Sequence, residues 1–234
     1  MKWTPIPAKS SGTLSRTQRA ERSARGDAEA VTVGCSRQPS ALPPTRQRQH
    51  ATSTSCTSLF GGPLITLTEE DLRQIGLWAA DCAERVLPLF EAKAPADARP
   101  REAVEGIRAF GHGGKRTAHL RSLALAALAA AREVADQAAA AAARAAGLAA
   151  SSAFMHAKYS PQQEKHALGP AAYAARTREL AAADDPGAGD DEIGWAIEHA
   201  SQAVREVVRR LPARAPGRGR LDALMHQLDA GLRS

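Results

Sequence analysis

Six histidines between residues 112 and 226 are the first candidates for chemistry, because imidazole titrates near neutral pH and binds metals. They are His112, His119, His156, His166, His199 and His226. His112 and His119 are separated by a glycine-rich break, and His156 and His166 by a helix start. Neither pair has the i, i+4 spacing that sets two ligands on one helix face, and no HExxH occurs. We expect surface or capping histidines, with no metal site and no cofactor. Three cysteines, Cys35, Cys56 and Cys82, form an odd set without CxxC spacing. That pattern argues against a disulfide framework or a zinc site and fits reduced thiols. Gly111-His112-Gly113-Gly114-Lys115-Arg116-Thr117 puts glycines ahead of a helix bearing Lys and Thr. A phosphate-binding loop would need GxxxxGK[ST] after a strand, and both are missing.

Two further groups could meet a partner. Asp97, Arg99 and Arg101 flank Pro100. An Asp–Arg pair or a helix cap could fix this loop, or its charges could form an edge for another protein. Lys165, His166 and Tyr173 cluster on one helix, where a tyrosine commonly keeps a half-buried ring and a wet hydroxyl. With His156 these give the candidate partner-binding set: Asp97, Arg99, Arg101, His156, Lys165, His166 and Tyr173. No catalytic constellation stands out: there is no Ser–His–Asp order, paired buried carboxylates or cofactor glycine fingerprint.

The elements that must position these residues are helical. Residues 117–153 contain 19 alanines, no proline and one glycine, Gly147. Alanine has the highest helix propensity and loses no side-chain entropy on ordering. Its small side chain lets neighbouring helix axes approach closely. The stretch therefore predicts two central helices that break near Asp136. Before them, Thr68 and Asp71 form a capping-box pattern with Asp in place of Glu. Leu72, Ile75, Ala79, Cys82, Val86 and Leu89 then mark one face of a helix to about residue 92, widened by Trp78 and Phe90 and kinked by Pro88. A second helix runs from Pro100 to the glycines at 111–114, with Ala103, Ile107 and Phe110 inward. A fifth runs from about 160 to 183, kinked or broken near Leu168 by Pro170. Residues 184–189 read as a loop. A sixth helix follows, with Asp190, Asp191 and Glu192 at its N-terminus and a stripe from Ile193 to Leu211. After a linker at 212–219, Leu221, Leu224, Leu228 and Leu232 mark a terminal helix. The expectation is an all-α, single multi-helix domain of about six to seven helices with no sheet.

Charge divides the chain. The whole carries a net +6. Residues 1–63 hold nine Lys or Arg against three Asp or Glu, and the remainder holds 22 of each sign. We read residues 1–63 as a disordered basic extension, with a short helix possible at 15–25, and 64–234 as the helical domain. The extension lacks interleaved aromatics that would stack on bases, which disfavours nucleic acid as a partner. No uncharged apolar run reaches 18 residues, so no transmembrane helix is expected, and a cytoplasmic location fits.

Several motifs resemble a known family. They are Leu72-Arg73, Trp78-Ala79-Ala80-Asp81-Cys82-Ala83-Glu84, Leu89-Phe90-Glu91 and the Asp97-x-Arg99-Pro100-Arg101 loop. Later come Ala143-Arg144-Ala145-Ala146-Gly147-Leu148-Ala149-Ala150, leading to His156, and Lys165-His166-Ala167-Leu168-Gly169-Pro170-Ala171-Ala172-Tyr173-Ala174-Ala175-Arg176. Together, over residues 67–211, they resemble the actinobacterial immunity proteins grouped as an Imm-five-like domain. The resemblance implies an all-α, non-enzymatic protein that binds and neutralises a cognate polymorphic toxin. It supplies no catalytic residues. Two alternatives follow from the residues alone: a helical nucleic-acid-associated regulator using the basic arm, or a helical enzyme using His156, His166 and Tyr173.

Overall fold

The computed structural model describes residues 66–156 and 161–234. The basic extension, with Cys35, Cys56 and the helix expected at 15–25, lies outside the described residues. Within them the structure is entirely helical: α1 (Glu69–Glu84), α2 (Leu87–Lys93), α3 (Arg99–Gly111), α4 (Ala118–Glu133), α5 (Gln137–Ser152), α6 (Pro161–Ala181), α7 (Pro186–Glu198), α8 (Gln202–Arg210) and α9 (Arg220–Arg233).

α1 starts as its sequence requires. The Thr68 hydroxyl accepts from the Asp71 N–H at 3.1 Å, and the Asp71 carboxylate accepts from the Thr68 N–H at 2.8 Å. Arg210, at the end of α8, closes the arrangement with a 2.6 Å bond to the same carboxylate. Arg210 first, then Thr68, holds the Asp71 carboxyl at about 2, below its ordinary 3.8. A carboxyl depressed in this way stabilises the fold fully above its unfolded pKa, and the contribution is lost as pH falls through the folded value. Asp71→Asn should therefore cost about 1–2 kcal/mol at pH 7, counting a lost cap and an exposed ion pair. Denaturation at stepped pH should show that gap closing between 3.8 and about 2.

Two expected helices are each divided, which accounts for the larger number. Pro88 does more than kink the first. α1 ends at Glu84, and α2 restarts with Pro88 in its first turn, where no backbone donor is needed. The sixth expected helix divides at residues 199–201. His199 terminates α7, and Ser201 caps α8 through its hydroxyl and the Val204 N–H. Pro170 has the opposite outcome: α6 runs through it unbroken. The loop expected at 184–189 is also shorter. Asp185 caps Gly187, Pro186 opens α7, and residues 186–189 are helical. The turn before it holds Ala183 and Asp184 at φ of 56° and 63°. Asp184 is secured there by its N–H to the Glu179 carbonyl and its carboxylate to Arg176.

α5 is the central helix. Eleven of its sixteen residues are buried, nine of them alanines. It packs against α1, α2, α3, α4 and α6, while α6 also packs against α1, α7 and α9. Small side chains make this crowding possible. A Cβ at Gly147 would stand 2.7 Å from Leu128 Cγ and 3.1 Å from the Ala124 carbonyl oxygen. That carbonyl belongs to the α4 backbone and cannot swing aside as a side chain can, so the close approach of α4 and α5 at this point favours glycine. Bulk comes from the surrounding helices: Ile75, Trp78, Phe90, Ile107, Phe110, Leu224 and Leu228 are all buried. Cys82 is buried among them, and burial pushes its thiol up, so it stays protonated.

Carboxylates inside the fold tie distant segments together. Asp190, Asp191 and Glu192 do not open a helix; they sit in the second turn of α7. Glu192 is buried and receives the Arg85 guanidinium at 2.6 and 3.0 Å and Arg178 at 3.3 Å. Arg85 also lies over the Trp195 ring at 4.0 Å. Buried Glu179 pairs with Arg176 and with Arg220 of α9. The linker before α9 is fastened by Arg214, which bonds Glu164 at 2.6 Å and Asp222 at 2.5 Å.

Candidate functional site

The seven candidate residues fall into three places. Asp97, Arg99 and Arg101 sit at the start of α3 and are engaged within the fold. Asp97 accepts from Arg99 Nε at 2.8 Å and from its terminal nitrogen at 2.6 Å, and Arg99 also reaches Glu133 at the end of α4. The Arg99 guanidinium holds the Asp97 carboxyl below its usual range. Arg101 bonds Glu91 at 2.8 Å and Glu84 at 3.2 Å. The loop therefore fixes itself through the Asp–Arg pair and joins α1, α2, α3 and α4.

His156 and His166 lie where α5 gives way to α6. The His156 ring contacts the Gln163 amide at 2.9 Å, and its backbone N–H donates to the same side chain. His166 is half-buried, and its Nδ1 has no hydrogen-bond partner among the described residues. Burial first, and the nearby His156 second, keep His166 below its ordinary 6.5. Burial therefore favours its neutral form.

Lys165 and Tyr173 come together on a cavity of about 470 Å³. Four helices wall it, each through residues one turn apart. α4 supplies Leu128 and Arg132, and α5 supplies Arg144 and Leu148. α6 supplies Lys165, Gly169 and Tyr173 in a single i, i+4, i+8 column, and α9 supplies Leu221 and Met225. Gly169 keeps α6 close: a Cβ there would stand 2.7 Å from Leu148 Cδ1. Among the described residues, Arg132, Arg144 and Lys165 make no side-chain hydrogen bond, ion pair or ring contact. Asp222, the carboxylate on the wall, is taken by Arg214 at 2.5 Å. The cavity is thus apolar over much of its lining and positive.

Arg132 and Arg144 were not among the sequence candidates. Arg144 is the one charge within the α5 alanine run, and an arginine kept there without a local acidic partner is a signal the sequence does carry. His156 and Tyr173 line different cavities. Among the described residues, no three His, Cys, Asp or Glu side chains are placed to hold a metal ion, and no helix is long and apolar enough to cross a membrane.

A family model described as "Imm-5 like putative immunity protein" matches residues 65–203. The chain belongs to this family. The Imm-5-like region includes α1 to α7 and the first residues of α8, so three walls of the cavity lie within it. The α9 wall, at residues 219–225, lies beyond the matched region. Neither the curated proteins nor the solved structures contain a match to the chain.

Proposed function

We propose that this Imm-5-like protein protects its host by binding and neutralising a cognate polymorphic toxin in the cytoplasm, without turning over a substrate. Membership of the immunity family across 65–203 carries the reading. The side chains support it. His156 is bonded to an amide, and among the described residues the His166 Nδ1 has no hydrogen-bond partner. The helices are cross-linked by buried ion pairs, and a scaffold of that kind can present a surface with little ordering cost on association.

Co-expression with a candidate toxin gene from the neighbourhood of this one tests the proposal. Cells should survive the toxin when this protein is present, the two proteins should co-purify, and a chelator should not release them. A small-molecule turnover by the purified protein that disappears in His166→Ala would overturn the proposal in favour of an enzyme.

A further inference from the structure

We propose that the cavity walled by α4, α5, α6 and α9 is a binding site for a small organic anion, with an oxyanion head and an apolar body. The site stands apart from toxin binding and does not depend on it.

The charge pattern is the first argument. Across the described residues, arginines are repeatedly matched to carboxylates: Arg85 to Glu192, Arg101 to Glu84 and Glu91, Arg214 to Glu164 and Asp222, and Arg220 to Glu179 and Asp190. Arg116, Arg121 and Arg205 meet carbonyls or a ring instead. Among the described residues Arg132 and Lys165, both exposed, and half-buried Arg144 form no ion pair, Arg132 having only a longer-range attraction to Glu133. All three line one cavity. Like charges gathered around a concave, partly apolar space repel one another, and an anion at their centre reverses that cost. Arginine suits this role because its planar fork meets a carboxylate or phosphate through two bonds.

Shape and lining are the second argument. A volume of about 470 Å³ lies within the roughly 300–1,000 Å³ range of small-molecule sites, which pair an apolar lining with a few polar groups. Leu148, Met225 and the Tyr173 ring offer that lining. The start of α9 adds to the preference for an anion. Gly219 is its N-cap, lines the cavity, and has no side chain to bond the first-turn N–H groups. Those donors and the positive end of the helix add to the three cations, while the Asp222 carboxylate in the same first turn is neutralised by Arg214.

The test uses the full-length protein and the fluorescent probes naphthalene-2-carboxylate and 2-naphthyl phosphate. Isothermal titration should show both binding, with the stronger one assigning the head group. Neutral 2-naphthamide and inorganic phosphate should each bind at least tenfold more weakly, since one lacks the charge and the other the apolar body. Arg144→Gln and Lys165→Gln should each weaken binding of the naphthyl anions at least tenfold. Neither side chain bonds to the fold, so thermal denaturation should be unchanged in both variants. Lys115→Gln removes a cation that lines none of this cavity and should leave probe binding as it was. Equal binding of the amide, equal binding of inorganic phosphate, no binding of either naphthyl anion, or insensitivity to both variants would overturn the site. Loss of toxin binding in Arg144→Gln and Lys165→Gln, without any binding of the naphthyl anions, would assign these cations to a protein interface instead.

Discussion

Glu192→Ala should destabilise the protein by about 3 kcal/mol in urea denaturation at pH 7, near the lower end of the range for breaking a buried ion pair. The Glu192 side chain is only 4% exposed and receives two guanidinium groups. Removing it leaves the Arg85 and Arg178 guanidinium groups without the carboxylate they share. Arg85 is held there by its contact with Trp195, and Arg178 by its bond to the Arg85 carbonyl. Their side chains are 33% and 37% exposed, so both can recover some hydration, which is why the lower end applies. Glu192→Gln keeps the shape and one acceptor and should cost less than the alanine variant. A loss under about 1 kcal/mol for Glu192→Ala would mean that the two arginines find water freely and that the network contributes little.

Trp78→Ala should cost about 3–5 kcal/mol, the range for truncating a buried large aromatic. Trp78 is 3% exposed and belongs to the main core. Its indole N–H donates to the Ala196 carbonyl at 2.9 Å, joining α1 to α7 over a separation of 118 residues. Trp78→Phe separates the two contributions: it keeps much of the apolar bulk but leaves a buried carbonyl without its donor, for about 1–3 kcal/mol. Phe90→Ala, at a ring with no exposure, should fall in the same 3–5 kcal/mol range without any hydrogen-bond component. If Trp78→Ala and Phe90→Ala each cost less than about 1 kcal/mol, α1 and α2 do not present these rings to the core.

These two cases show what the sequence could and could not reveal. The stripe that buries Leu72, Ile75 and Trp78, the capping box at Thr68 and Asp71, and the leucine face of α9 depend on spacing within one helix, and each was legible. Element ends at prolines were less so. Pro88 and Pro170 are the same residue with different outcomes, because packing of the neighbouring helices decides whether a chain ends or continues. Glu192 reads locally as an acid at a helix start; only tertiary structure brings Arg85 and Arg178 to it and makes it a buried partner. The cavity is the hardest case. Its walls come from residues 128, 148, 173 and 225, and no local pattern reports that four separate columns meet. Lys165 and Tyr173 were visible as a cluster, whereas Arg132 and Arg144 gained meaning once it could be seen that they line the same cavity and form no ion pair among the described residues.

The most direct test of toxin neutralisation is a titration of the purified toxin's activity with increasing amounts of this protein. Binding without turnover predicts that inhibition rises linearly and stops at a fixed molar ratio, independent of incubation time once complex formation is complete. Inactivation of excess toxin by substoichiometric protein, progressing with time, would contradict it and show that the protein acts as a catalyst.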